Sequence, residues 1–242
     1  MACSLVLSVH ARALTASVPA YGARLEAALN QRDVDALGRL VAPQLQERFQ
    51  HRVERFIADF PGAQWNVDRL EPLEDGRSRL RVSVKGLRRS DGLMYRLQAS
   101  QTLALRLQAG VMQAHEVLDD RSLLRTGTAS LPISVRLPKA VLTGSRYDID
   151  VIVDEPLGRA VLAGGLVELP QDSGPGSLRS TIPLEPLGGG GLFKRVRAPQ
   201  TPGDQIWAVM LVHPDGLVTA TQRVKVVADA ADLNRSELSM QR

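Results

Sequence analysis

The 242-residue chain has one cysteine, Cys3, so it can form neither an internal disulfide nor a cysteine-based metal site. Aromatic residues are only 4% of it, too few for the stacking platforms of single-strand nucleic-acid binders. Its four histidines stand at positions 10, 51, 115 and 213, and no His-x-x-x-His pair occurs. Cys-x-x-Cys, an Asp-rich calcium loop, Gly-x-Ser-x-Gly and a phosphate-cradling glycine loop are all missing. No apolar run approaches the ~18 residues of a membrane-crossing helix. No sustained heptad pattern points to a coiled coil. Lysine is scarce: Lys85, Lys139, Lys194 and Lys225 are the only ones. Arginine supplies the other basic charges, which coding composition explains more simply than guanidinium chemistry does.

What remains is ordinary globular material, 44% apolar and 23% charged. The length suits one large domain or two small ones. The net charge of +4 is uneven. Residues 1–126 carry 18 basic and 14 acidic residues, whereas residues 127–242 carry 12 of each. That imbalance is far below the footprint of a nucleic-acid binder.

Residues 2–9 are an apolar run, followed by the small residues Ala11, Ala13, Ser17 and Ala20. Two readings fit: the remnant of a secretory signal, with the mature chain starting between Leu14 and Tyr21, or a frayed tail. The first implies export to a periplasm or lumen, the second a cytoplasmic protein, and export is the preferred of the two.

Tyr21, Leu25, Ala28 and Leu29 recur at helical spacing. Asp33 is a good N-cap for a helix over 34–41, and Pro43 opens a third helix with the stripe Leu45, Phe49, Val53, Phe56 and Phe60. The period then changes to two. Trp65 and Val67 begin a short strand, and Leu80, Val82 and Val84 alternate with charged residues. The run from Leu93 to Gln108 reads as a long bent strand, turned by Ala109-Gly110 into Val111–Leu118 and onward to Arg125.

This order predicts an α+β domain over residues 20–126, with helices packed on a curved antiparallel sheet in a cone-like arrangement. The segment from Leu25 through Asp33, Asp35, Ala36 and Leu37 to Pro43 resembles the helical opening of the nuclear transport factor 2-like (SnoaL-like) superfamily. That resemblance implies a pocket between helices and concave sheet. It does not fix function, because the superfamily spans isomerases, dehydratases, cyclases and non-catalytic binding or assembly modules. Residues 128–227 contain about seven short β-runs between turn signals, which predict an all-β immunoglobulin-like sandwich. Residues 228–242 are a polar tail. The two-domain arrangement resembles that of exported bacterial proteins, cyanobacterial ones among them.

Few residues stand out as chemistry. Gln101 interrupts the apolar face of the long strand and Tyr95 adds a hydroxyl to it; with His115 they are the ligand-binding candidates. His115 is also the candidate acid or base, with Asp119 four residues on as its helper. His51 and Glu54 lie one turn apart beside an apolar stripe, where solvent exposure is the simpler reading. Arg77, Arg79, Arg81 and Lys85, with Arg96 and Arg106, form a basic strand face, read as solvated or partner-covered. Gly188–Gly191 lead into Lys194, Arg195 and Arg197 and are read as an inter-strand loop. Gly164-Gly165 inside a strand suggests a bulge or a close backbone approach.

The leading expectation is a non-enzymatic two-domain binding or assembly protein. It would take a protein partner or a small apolar ligand, without cofactor, metal, nucleic acid or membrane span; a homodimer is compatible. The alternative is a small-molecule lyase or isomerase working in the cone pocket through His115.

Overall fold

The computed structural model describes residues 20–127, 131–154, 161–170, 182–188, 190–214 and 216–233. The signal-like N-terminal run with Cys3 and His10 lies outside them. So do residues 155–160, which with Asp154 read in the sequence as an acidic turn, and the end of the polar tail.

Helix α1 occupies residues 20–31 and buries Tyr21, Leu25, Ala28 and Leu29, one stripe at helical spacing. Arg32 leaves the helix at φ 57°. The Asp33 carboxylate then accepts a 2.8 Å hydrogen bond from the Ala36 N–H, capping α2 (Val34–Arg39). Helix α3 (Pro43–Asp59) starts on its proline and buries Val53, with Leu45, Phe49 and Ile57 partly buried beside it. At its end Phe56 packs against Phe60 and Trp65, with ring centroids 5.4 and 4.9 Å away. The side-chain amide of Gln46 donates to the Gly38 carbonyl (2.9 Å) and that of Gln50 to the Val34 carbonyl (3.3 Å), tying α2 to α3.

Strands β1 (Gln64–Leu70), β2 (Ser78–Ser90), β3 (Leu93–Gln108) and β4 (Val111–Gly127) follow. Asp91-Gly92 and Ala109-Gly110 each combine two positive φ angles, 53° and 77°, then 49° and 73°. That is the two-residue turn whose twist matches the strands it joins. The apolar side chains of α1, α2 and α3 meet Leu80, Leu105 and Met112, and Leu37, Leu80, Leu105 and Tyr21 are almost wholly buried there.

The remaining strands are β5 (Ile133–Arg136), β6 (Ala140–Leu142), β7 (Arg146–Val153), β8 (Leu162–Leu169), β9 (Glu185–Leu187), β10 (Gly191–Arg197), β11 (Gly203–His213) and β12 (Gly216–Val227). They corrected the expected architecture. The long strands of the first half do not end in a self-contained cone. The second half of β4 pairs antiparallel with β12, from Gly127 opposite Gly216 to Arg121 opposite Gln222. One nine-stranded sheet results, ordered β1-β2-β3-β4-β12-β11-β8-β9, with β6 alongside β12; β10-β7-β5 form a second, three-stranded sheet. Among the described residues strand outweighs helix, 57% against 20%, so the protein is mostly antiparallel β rather than an α+β cone of helices on a sheet. The physical reason is the open edge of β4. Its alternating buried residues Leu118, Asp120, Ser122, Leu124 and Thr126 demand a neighbour for their backbone N–H and C=O groups, and β12 supplies it.

Two compact units emerge. Among the described residues, the first comprises 20–84 and 102–117, the second 85–101 and those from 118 to 233. The core of the second lies between its sheets, where Tyr147, Ile149, Val151 and Val153 of β7 meet Trp207, Val209 and Leu211 of β11 and Val218, Val224 and Val226 of β12. Inside it the Trp207 indole donates to the Tyr147 hydroxyl (2.7 Å), which donates to Gln205 Oε1 (2.9 Å). A smaller apolar cluster of Leu169, Ile182, Ile206 and Ala208 completes the unit. Gly165 belongs in β8 because a Cβ there would collide with the Pro183 carbonyl. The paired glycines thus mark a close backbone approach, one of the two readings their position allowed.

Candidate functional site

Tyr95 and Gln101 fall in the second unit and His115 in the first. Tyr95 is half-buried on β3, with the Arg88 guanidinium 5.1 Å from its ring centre. The Gln101 amide donates to Asp120 Oδ2 at 3.3 Å, so its place on an apolar face is explained by an internal partner. Asp119 is half-buried on β4, next in sequence to the buried Asp120.

His115 is exposed as a residue, yet packing around its ring is the largest influence on its proton. Partial burial, then Arg52, then Arg48 hold its pKa below the ordinary 6.5. It is therefore neutral at physiological pH and bordered by two cations of α3. Replacing Arg48 and Arg52 together by glutamine is expected to move the His115 titration upward, toward 6.5. Following the imidazole resonances against pH checks this; an unmoved midpoint would remove the arginines from the account. His51, the other histidine of the first unit's described part, has its Nε2 3.1 Å from Arg55 Nη2. An open polar hollow of about 390 Å³ runs along α3 between Pro43 and Glu54, with Gln46, Glu47, Gln50 and His51 as its other lining residues.

The basic strand face is partly neutralised from within. Arg77 bridges Asp75 and Glu116, both at 2.6 Å, and these bonds keep its guanidinium firmly charged. Arg79 is buried.

Sequence reasoning singled out Gln101 but missed the assembly it belongs to. Arg223 of β12 is buried with only 7% of its surface exposed. Its Nη2 lies 3.3 Å from Asp120 Oδ2 and its Nη1 2.9 Å from Asp204 Oδ2. Gln101, Asp120, Arg223 and Asp204 thus link the neighbouring strands β3, β4, β12 and β11. Alongside, the Ser122 and Thr221 hydroxyls are 2.6 Å apart. Burial raises the Asp120 carboxyl above its usual range, and Arg223 and Gln101 only partly offset this. The sequence offered only a charge among the hydroxyl and apolar residues of each strand face, Asp120 beside Ser122 and Arg223 beside Thr221; only pairing shows that they meet.

A third feature is an edge. Phe193, one of four phenylalanines in the chain, is 68% exposed on β10. Among the described residues no strand pairs with the outer side of β10, which meets only β7. Two backbone bonds bracket that ladder: Val153 N–H to Gly190 O (2.7 Å) and Ala198 N–H to Ser145 O (2.9 Å). Hydrogen-bonded positions alternate along an antiparallel pair. Leu192, Lys194 and Val196 therefore turn their backbone groups to β7, and Gly191, Phe193, Arg195 and Arg197 turn theirs to the open edge. The readings of Gly188–Gly191 as an inter-strand loop and of Lys194–Arg197 as its basic flank thus divide: Gly191 starts the strand, where a Cβ would strike the Val151 carbonyl.

Among the described residues no three His, Cys, Asp or Glu side chains group as metal ligands, and no helix is long and apolar enough to cross a membrane. Fold and sites together define a β-rich protein whose most distinctive features are a buried ion network and an open strand edge. Residues 128–227 match the model of a family described as a domain of unknown function (DUF8623), and over that span the chain is similar to it. No curated protein matches the chain.

Proposed function

We propose that this is a non-enzymatic binding or assembly protein whose second unit holds a protein partner at the β10 edge. The observation that carries the reading is the exposed Phe193 on a strand whose outward N–H and C=O groups have no neighbouring strand among the described residues. An unprotected edge is a template for another strand, and an exposed aromatic supplies a contact of the kind that dominates interfaces. The exposure of His115, outside the apolar core formed by Tyr21, Leu37, Leu80 and Leu105, supports binding at a surface over chemistry in a cavity at that residue. The resemblance of residues 25–43 to the nuclear transport factor 2-like superfamily accommodates this role, since non-catalytic binding modules occur there.

Photo-crosslinking from position 193 in the native host tests the reading, with position 161, another exposed apolar site, as the control. A discrete adduct from 193 and not from 161 is expected. No adduct from 193, or the same adducts from both positions, would refute it.

A further inference from the structure

The edge also specifies its occupant, and this inference rests on the reading just given. Side chains alternate along a strand. Lys194 turns inward, its Nζ 6.0 Å from the Trp207 ring centre, and Leu192 and Val196 pack on the core between the sheets. Phe193, Arg195 and Arg197 therefore share the outer face, and theirs are also the backbone groups that point to the open edge. Arg195 reaches across to Asp148 (2.7 Å) and Arg197 Nε donates to the Gly144 carbonyl (3.1 Å), yet both side chains remain on the surface. A strand added here lays its side chains directly opposite these three residues.

We infer that β10 receives an extended acidic segment of a partner protein, added antiparallel, with carboxylates opposite Arg197 and Arg195 and an apolar residue opposite Phe193. Antiparallel register fixes the order, because the partner's chain runs against that of β10. Read from its N-terminus, the segment is acidic-x-acidic-x-apolar. A second copy of this chain centred on Arg195 is disfavoured as occupant, because it would set Arg195 opposite its like, and like charges directly opposite destabilise a pair; a copy centred on Phe193 leaves both arginines without a carboxylate opposite.

The test uses the full chain and a capped peptide, acetyl-Thr-Glu-Thr-Glu-Thr-Ile-Thr-amide. Its controls are the lysine-for-glutamate version and the reversed order, Ile-Thr-Glu-Thr-Glu. Binding is read by fluorescence anisotropy, and its place by amide hydrogen exchange. The acidic peptide is expected to bind at least about tenfold more tightly than the lysine peptide, to weaken as salt is raised, and to slow exchange at Phe193, Arg195 and Arg197. The Arg195→Glu/Arg197→Glu variant should invert the preference and bind the lysine peptide. Both positions are exposed, so the fold should tolerate the change.

Equal binding of the glutamate and lysine peptides, or protection elsewhere in the chain, would overturn the inference. So would equal binding of the reversed peptide. Concentration-dependent protection of the same amides without peptide would overturn it in favour of a second copy. If these peptides fail while crosslinking from position 193 succeeds, the edge is a binding site for different chemistry. If crosslinking fails as well, the parent reading falls with it.

Discussion

Replacing Arg223 by methionine is expected to cost the second unit about 3–5 kcal/mol at neutral pH, the usual penalty for leaving a buried charge without its partner. Asp120 is 6% exposed, and Arg223 is the cation that faces it. The loss should depend on pH in a defined direction. Burial already holds the folded-state pKa of Asp120 above 3.8, so the folded protein binds that proton more tightly than the unfolded chain. Protonation of Asp120 therefore adds stability as pH falls through the raised value, and the gain is lost as pH rises through it. Without Arg223 that value rises further. The deficit of the variant should accordingly shrink from neutral to mildly acidic pH. Asp120→Asn should cost much less than Arg223→Met, because it removes the buried charge and leaves Arg223 its 2.9 Å contact with Asp204. Urea unfolding followed through Trp207 fluorescence, in a Trp65→Phe background, reads all of this in the second unit. A deficit that is the same at both pH values would show that Asp120 is not the group left stranded.

Truncating Trp207 to alanine is expected to destabilise the same unit by about 3–5 kcal/mol, as for other large aromatic cores. Its ring lies between the two sheets, 6% exposed, among Tyr147, Val209 and Val224. Part of the loss is polar. Tyr147→Phe keeps the packing but strips the Trp207 indole N–H and the Gln205 carbonyl of their shared partner. That alone should cost about 1–3 kcal/mol. The same burial pushes the Tyr147 phenol up to about 12, so the hydroxyl stays a donor throughout the working pH range. If Tyr147→Phe left the urea midpoint unchanged, the hydrogen-bonded relay would not be part of what holds the sheets together.

Much of the local structure was legible in the sequence. Asp33 caps α2 and Pro43 opens α3 because both act through their own backbone neighbourhood. The turns at Asp91-Gly92 and Ala109-Gly110 follow from residues next to one another. In the sequence Tyr147, Ile149, Val151 and Val153 alternate with Asp148, Asp150 and Ile152, and the first set is the buried face of β7, since period two needs no knowledge of the partner sheet. The site was less legible. Gln101 drew attention as a polar residue on an apolar face, but its partner Asp120 lies 19 residues along the chain and Arg223 lies 103 beyond that.

What the sequence by itself determined is therefore the inventory of elements and the side each strand turns inward. Those properties rest on φ, ψ and side-chain direction within a few residues. Only the tertiary structure decided that β4 continues into β12, that one sheet passes through both halves of the chain, and that β10 is left as an edge. Pairing of distant strands depends on which open edges meet once the chain has closed its long loops, and many edges offer the same N–H and C=O groups. The same closure brought the charges of Asp120, Arg223 and Asp204 together and put Phe193 on the outside.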